Sequence, residues 1–205
     1  MINKKHQIIS LILLALFTIQ CSPEKQQDDS NSSNEKVEIP EARLIQTDEI
    51  HSFKEGLKSI YTVEEMKPNR WQLKNLGEKS SENFIFKLVA KELHNNKNSY
   101  FFDRRQRIKV YIYNYPTSEI ANEVTSALFK DFPFDCGPIK EGSKKGCKTT
   151  PTIYIFDTQY IAMMRISCED TNEQWEQIMK DFLSQFRTKN SKVIEAKCGK
   201  IQWVD

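Results

Sequence analysis

Five cysteines are the residues in this sequence whose type and spacing could do the most chemistry. Cys21 stands alone near the start of the chain, and the other four follow much later, at Cys136, Cys147, Cys168 and Cys198. No C-x-x-C pair is present, which disfavours a zinc site and a dithiol redox site. In an exported chain, an even number of cysteines points to disulfides. The compartment of the protein therefore decides how these residues are interpreted.

The first 20 residues indicate export. Lys4 and Lys5 form a short basic region, and an apolar run of 12 residues follows from Ile8 to Ile19. That run is much shorter than the roughly 20 residues that a helix needs to cross a bilayer. A basic start followed by a short apolar core is typical of a signal peptide.

Cys21 directly follows this apolar run, and Ser22, Pro23 and a polar tract come next. In this region the sequence resembles bacterial lipoproteins, although Thr18 stands where Leu is common and Gln20 where a small residue is common. The resemblance implies cleavage before Cys21, lipidation of Cys21 and anchoring to the inner or outer membrane, facing the periplasm or the cell surface. An ordinary secretory peptide or an uncleaved anchor, with Cys21 incidental, is the alternative.

Composition divides the chain into three parts: a signal peptide at 1–20, a polar tether at 21–40 and one globular domain at 41–205. The tether has almost nothing to bury. Removing residues 1–20 takes away Lys4 and Lys5 and leaves 28 basic and 28 acidic residues. A formally neutral surface gives no electrostatic signature for nucleic acid. The expected contact is with the membrane through the N-terminal lipid.

From residue 108 onward the apolar pattern predicts alternating strands and helices. Ile108, Val110 and Ile112 alternate with polar residues, as in a strand. The remaining predicted elements are a helix capped by Thr117 or Ser118, strands at 152–156 and 160–167, a helix opened by Thr171 with Gln174, and a strand at 192–197. This order predicts an α+β fold with a ferredoxin-like split βαβ core, in which an antiparallel sheet in strand order 4-1-3-2 carries two helices on one face.

An N-terminal extension precedes this core, and its pattern is weaker. The sequence favours a short helical turn in 61–68, a short strand in 70–76 and a helix over 81–93. In the last segment, Phe84 and Leu88 lie four residues apart, as do Ile85 and Val89, and Ser81 could cap the helix.

The predicted topology places the last four cysteines at one end of the sheet. Cys136 and Cys147 would close the loop between them, which leaves Cys168 to pair with Cys198. Cys136-Gly137-Pro138 also resembles a thioredoxin-type site, with Thr150-Pro151-Thr152 resembling its proline-containing strand. Position 139 is Ile rather than the second cysteine of such a site.

An aromatic face is the most suggestive candidate for a binding site. If Ile108, Val110 and Ile112 face the helices, then the intervening tyrosines face away from them. The N-terminal extension either covers this face and makes it core, or leaves it open to bind a ligand, a partner or a second copy. Its candidate residues are Tyr111, Tyr113, Tyr115, Tyr154, Phe156 and Arg165.

Other chemistry is weakly represented. His51 and His94 lie outside any metal-binding spacing, and no cofactor or metal is expected. Residues 103–107 (DRRQR) form the densest basic run. Such runs are usually solvated loops, and binding to an anionic envelope component is the alternative.

Together these features predict a lipid-anchored, non-enzymatic binding or assembly module of the cell envelope, with an envelope protein or a second copy of the chain as possible partner. Two hypotheses from other classes stay open. One is a thiol-disulfide redox protein that uses Cys136, and the other is a small-ligand binder that uses the aromatic face.

Overall fold

Antiparallel strands dominate the structure, a computed structural model that describes residues 43–67, 74–93, 105–132 and 136–204. These residues lie within one compact unit that spans 39–205. The described part of the chain contains, in order, α1 (Thr47–Leu57), β1 (Tyr61–Glu65), α2 (Lys74–Gly77), β2 (Glu82–Ala90), β3 (Arg107–Asn114), α3 (Ser118–Lys130), β4 (Lys144–Gly146), β5 (Thr152–Phe156), β6 (Tyr160–Arg165), a 3₁₀ turn (Cys168–Asp170), α4 (Glu173–Phe186), β7 (Lys192–Lys197) and β8 (Lys200–Val204).

All eight of these strands join one sheet in the order β1-β2-β3-β6-β5-β7-β8-β4. Every neighbouring pair is antiparallel. The strands predicted at 108–113, 152–156, 160–167 and 192–197 correspond to β3, β5, β6 and β7. The signal peptide, the tether with Cys21 and His94 lie outside the described residues.

Helices cover both faces of the sheet. On one face, α1 and α4 bury the aliphatic side of β3 in what we call the first core, which includes Phe53, Phe182 and Phe186. On the other face, α3 packs on the tyrosine side of β3 in the second core, where it contributes Ala121 and Val124. The sheet is therefore the middle layer of three.

The ferredoxin-like arrangement with both helices on one face is wrong. The prediction placed the strand at 192–197 beside β3, but β2 occupies that position, and the strand pairs with β5 instead. The two connections β3-α3-β5 and β6-α4-β7 then move in the same direction across the sheet, although they start from antiparallel strands. Right-handed crossovers of that kind must lie on opposite faces, which accounts for the observed three layers.

The segment 81–93 is the origin of this error, because it forms strand β2 rather than a helix. Phe86 and Leu88 belong to the first core, whereas Ile85 belongs to the second. A strand buried on both sides has an almost continuous apolar run, in which a four-residue spacing also fits a period of two. The hydrophobic pattern alone could not distinguish the two structures.

Smaller corrections affect other N-terminal elements and one helix cap. Residues 61–65 form strand β1 instead of a helical turn, and the short helix at 74–77 overlaps the end of the segment 70–76, which was predicted as a strand. The Thr117 cap of α3 is confirmed. Helix α4 is instead capped by Asn172, whose Oδ1 accepts a hydrogen bond from the Trp175 backbone N–H at 2.9 Å, while the Thr171 hydroxyl donates to the Cys168 carbonyl.

Candidate functional site

The predicted aromatic face is interior rather than surface. Tyr111, Tyr113 and Tyr154 are 1–3% exposed, and Tyr115 and Phe156 are also buried. Burial raises the pKa of Tyr154 to about 12. These five rings are part of the second core, so they offer no open surface to a ligand.

The cover over these rings differs from the one that the sequence suggested. Most of it comes from α3 and the segment that follows it, where the ring of Phe132 contacts that of Tyr154 at 5.2 Å between centroids. The N-terminal extension contributes Leu76, whose carbonyl accepts a hydrogen bond from the Tyr115 hydroxyl at 2.9 Å. Its longest helix, α1, packs on the opposite face. Arg165 alone among the six candidates is partly exposed.

The predicted disulfides are present. Cys136 is joined to Cys147 and Cys168 to Cys198, with Cα–Cα distances of 5.2 and 5.9 Å. Cys136 is also buried, so in this state it provides no exposed thiolate for redox chemistry. Among the described residues, no group of His, Cys, Asp and Glu side chains is arranged to hold a metal ion.

Arg165 belongs to a different candidate site. This site lies at one end of the sheet, on the face that carries the tyrosines. Lys87 on β2 lies opposite Lys109 on β3, and Lys109 lies opposite Arg165 on β6. Arg107 precedes Lys109 by two residues and therefore shares its face. These four cations line a pocket of about 320 Å³, which we call the cation pocket.

Cations at these neighbouring positions repel one another. Side chains directly opposite each other in an antiparallel pair are close neighbours, and like charges at such positions destabilise the sheet. Partial burial lowers the pKa of Lys109, and the charges of Arg165, Lys87 and Arg107 lower it further. The pocket thus concentrates positive charge at one end of the sheet.

The partners of these cations are unevenly distributed. The Lys87 Nζ lies 2.6 Å from a carboxylate oxygen of Glu64, its cross-strand neighbour on β1. By contrast, neither the Lys109 ammonium nor the Arg107 guanidinium has a salt bridge or side-chain hydrogen bond to another residue in the described ranges. Two of the four cations are therefore available to an external anion.

Ser167 and Asp170 form a rigid rim on one side of the cations. The Ser167 hydroxyl donates to Oδ2 of buried Asp170 at 2.7 Å, and the Gln106 amide donates to the Asp170 carbonyl at 2.7 Å. Cys168, between these two rim residues, is tied to Cys198 by a disulfide. The rim is thus fixed before any ligand arrives, which reduces the entropy lost on binding.

Thr150 also lines the pocket, and its neighbour Thr149 lies beside the 3₁₀ turn, with its carbonyl oxygen 3.8 Å from the Cys168 Sγ. Its Oγ1 is buried and has no hydrogen-bond partner within the portion of the chain that the structure describes. A buried hydroxyl without a partner costs free energy unless a ligand or water satisfies it. The Thr150 oxygen is therefore an unsatisfied polar atom next to the pocket and not a donor exposed in it.

Sequence reasoning singled out two of the four cations of the pocket, but it did not bring them together. Arg165 was assigned to the aromatic face, and Arg107 ended the basic run at 103–107, of which 103 and 104 lie outside the described residues. Lys109 was visible as a polar residue on the same side of its strand as the tyrosines. Lys87 could not be placed beside it while 81–93 was interpreted as a helix. His51 is exposed and lies 3.7 Å from Glu55, away from this site.

Comparison of the chain with protein-family models finds no match, and comparison with curated proteins and with solved structures finds none either. Within the described ranges, no helix has the length and apolar character required to cross a bilayer. The candidate site therefore rests on its own geometry.

Proposed function

We propose that this chain is a lipid-anchored protein of the bacterial cell envelope that binds an anionic ligand in the cation pocket and catalyses no reaction. The position of Lys109 between Lys87 and Arg165 carries the binding proposal. Lys109, like Arg107, has no salt bridge or side-chain hydrogen bond within the described part of the chain, although it lies among other cations. Unpaired cations in such a cluster are expected of an anion-binding site rather than of a structural element.

The N-terminal pattern supports the anchor. A short apolar segment that ends at Cys21, followed by a polar tract, is the arrangement that resembles lipoproteins. Two disulfides in the folded part agree with an oxidising compartment. A chain that is formally neutral once residues 1–20 are removed, and that gathers four cations in this pocket, would select a small anion instead of adhering to every anionic polymer.

Processing at Cys21 can be tested by intact mass spectrometry of the protein isolated from its native membranes. We expect a chain that starts at Cys21 and carries a mass increase equal to its fatty acyl groups. A species with an unmodified Cys21 that retains residues 1–20 would contradict the anchor and leave the pocket proposal unaffected.

Replacing Lys109 with Gln should separate binding from structure. We expect the affinity for the best ligand among inorganic phosphate, sulfate and acetate to fall at least about tenfold, since a hydrogen bond to a charged group contributes about 1.5–3 kcal/mol. The ligand-free variant should unfold at a higher temperature than the wild type, because the replacement removes like-charge repulsion across β2, β3 and β6. Isothermal titration calorimetry and thermal unfolding of the processed protein in detergent measure the two effects.

Lys180→Gln is the matched control, because Lys180 is an exposed lysine on α4, the helix that packs on the opposite face of the sheet. We expect its affinity and unfolding temperature to equal those of the wild type. If none of the three anions binds, or if both lysine variants bind equally well, the cation pocket is not a ligand site.

A further inference from the structure

The surroundings of Lys109 disfavour its ammonium form. Lys109 lies on β3 directly across from Lys87 on one side and Arg165 on the other, and Arg107 shares its face two residues earlier. Lys87 has a Glu64 carboxylate oxygen at 2.6 Å as its partner. Lys109, by contrast, forms no salt bridge and no side-chain hydrogen bond within the described ranges. Its charge is therefore placed among like charges.

These surroundings favour the neutral amine of Lys109. Partial burial lowers its pKa, and the positive charges of Arg165, Lys87 and Arg107 lower it further. Arg165 also has interactions with other groups, yet its charge still contributes to this shift. Lysines that are desolvated or lie beside other cations act as nucleophiles in proteins, because the neutral amine has a free electron pair. We therefore expect Lys109 to react more readily than a solvated lysine.

The space in front of Lys109 admits a small molecule. Lys109 is partly exposed and lines the cation pocket of about 320 Å³, which lies at the lower end of the range of about 300–1,000 Å³ usual for small-molecule sites. Ile166 is the one apolar residue in the lining, so a long apolar substituent would find little contact there. An electrophile that reaches the amine should therefore be small and polar.

Arg107 adds a preference for negative charge. It lies about 7 Å from Lys109 along β3, on the same face, and lines the same pocket. Its guanidinium also has no salt bridge or side-chain hydrogen bond in the part of the chain that the structure describes. A guanidinium can hold a carboxylate through two parallel hydrogen bonds. A ligand with a carbonyl group next to such a carboxylate would present its carbonyl carbon to the Lys109 amine.

We propose that Lys109 captures a small oxo acid, an aldehyde or ketone that carries a carboxylate, as a reversible imine. This inference rests on the proposed function, since it assigns the anionic ligand of the cation pocket. The Lys109 ammonium first loses one proton to solvent, and its Nζ then attacks the carbonyl carbon while Arg107 holds the carboxylate. A C=N bond replaces the C=O bond, and the carbonyl oxygen leaves as water with the two amine protons. Nothing is oxidised or reduced, and water reverses the step, so the ligand is bound rather than consumed.

Reductive trapping with glyoxylate tests the capture. Sodium cyanoborohydride reduces the imine to a stable secondary amine, and peptide mass spectrometry of the processed protein then gives the labelled fraction of each lysine. At pH 7 we expect Lys109 to be labelled at least about tenfold faster than Lys180, because Arg107 adds a charged hydrogen bond to the ligand at Lys109 only. Lys180 is exposed on α4 and serves as a control within the same molecule. Equal rates at the two lysines would overturn the proposal.

Methyl glyoxylate separates the role of the carboxylate from that of the amine, because it presents the same aldehyde without the negative charge. The ratio of Lys109 to Lys180 labelling should be at least about tenfold lower with this ester than with glyoxylate. Arg107→Gln should remove most of that difference, and thermal unfolding confirms that the variant is folded. A difference that survives Arg107→Gln at full size would overturn the position assigned to the carboxylate.

Lys87→Gln tests the role of the neighbouring cations. It removes one positive charge beside Lys109 and frees the Glu64 carboxylate, and both changes raise the pKa of Lys109. Labelling of Lys109 at pH 7 should therefore fall several-fold with glyoxylate and with its methyl ester, whereas labelling of Lys180 should stay the same. Unchanged labelling of Lys109 by both probes would overturn the activation of the amine by its neighbours.

Calorimetry separates the failure of this inference from the failure of the proposed function. If phosphate, sulfate or acetate binds and Lys109 is labelled no faster than Lys180, covalent capture is wrong and anion binding stands. If none of these anions binds and the labelling shows no preference for Lys109, both proposals are wrong. Where an anion binds, it should slow the labelling of Lys109 by glyoxylate and leave that of Lys180 unchanged. Absence of this protection would overturn the assignment of the reaction to the cation pocket.

Discussion

Replacing Phe182 with Ala is expected to lower the free energy of unfolding by about 3–5 kcal/mol. Phe182 is completely buried on α4, and its ring contacts those of Phe53 at 5.8 Å and Phe186 at 5.0 Å between centroids. The substitution removes a large apolar side chain from the point where α1 and α4 meet over the sheet, and it leaves a cavity there. Edge-to-face contacts between aromatic rings add about 0.5–1.5 kcal/mol beyond burial, and these would be lost as well.

Urea unfolding of the processed protein with its disulfides intact measures this loss as a shift of the midpoint at constant m value. Phe129→Ala is the matched control, because Phe129 is a helical phenylalanine on α3 that is only partly buried on the opposite face. Its loss should be about half as large. A Phe182 variant that loses less than the Phe129 variant would show that α4 does not pack on the sheet as described.

Removing the Cys168–Cys198 disulfide by a double replacement with Ser should cost about 4 kcal/mol, and removing Cys136–Cys147 in the same way should cost about 3 kcal/mol. The two bridges close 30 and 11 residues of sequence separation, and the longer loop restricts the unfolded chain more strongly. Thermal or urea unfolding of the two double variants, compared with the wild type, gives the order directly.

Thiol titration of the wild type provides the control for the disulfide variants. We expect no reactive thiol in the folded, oxidised protein and no effect of mild reductant on its fold. A single reactive thiol at Cys136 in the native state would contradict the paired arrangement and revive the redox hypothesis. If removal of Cys136–Cys147 proved more destabilising than removal of Cys168–Cys198, native contacts rather than chain entropy would determine the effect of each disulfide.

The sequence predicted the later strands well because the type of side chain alternates between neighbouring residues or because turns bound the strands. The alternation of Ile108, Val110 and Ile112 with polar and tyrosine residues defined β3, and residues 152–156 and 192–197 form strands as predicted. Thr117 marked the start of α3 through its side-chain cap. In these elements the local signal and the tertiary structure agree.

The local sequence patterns could not predict the order of the strands in the sheet. The position beside β3 depends on whether the chain at 81–93 forms a strand, and Phe84 and Leu88 fit both periods. Once β2 takes that position, β7 must pair with β5, and α4 must cross to the other face of the sheet. One ambiguous segment thus changed the architecture while leaving four strand predictions correct.

The sequence did not predict the cation pocket, for the same reason. The cation pocket needs Lys87, Lys109 and Arg165 on three adjacent strands, which are far apart along the chain. A formal overall charge of only +2 also concealed it, because carboxylates elsewhere in the chain offset these cations in the total. Sequence composition averages over the surface, whereas a binding site depends on local imbalance.

The two faces of the sheet differ in the chemistry of their side chains as well as in the helices that pack on them. This difference favours the correct register of β3 during folding. The α1 and α4 side of β3 is aliphatic, whereas the α3 side carries tyrosine hydroxyls and Lys109. Sliding β3 by one residue would exchange these sets and place Lys109 among phenylalanines. Misaligned chains would thus carry a buried, unsolvated charge, so the cations of the proposed ligand site also act against misfolded alternatives.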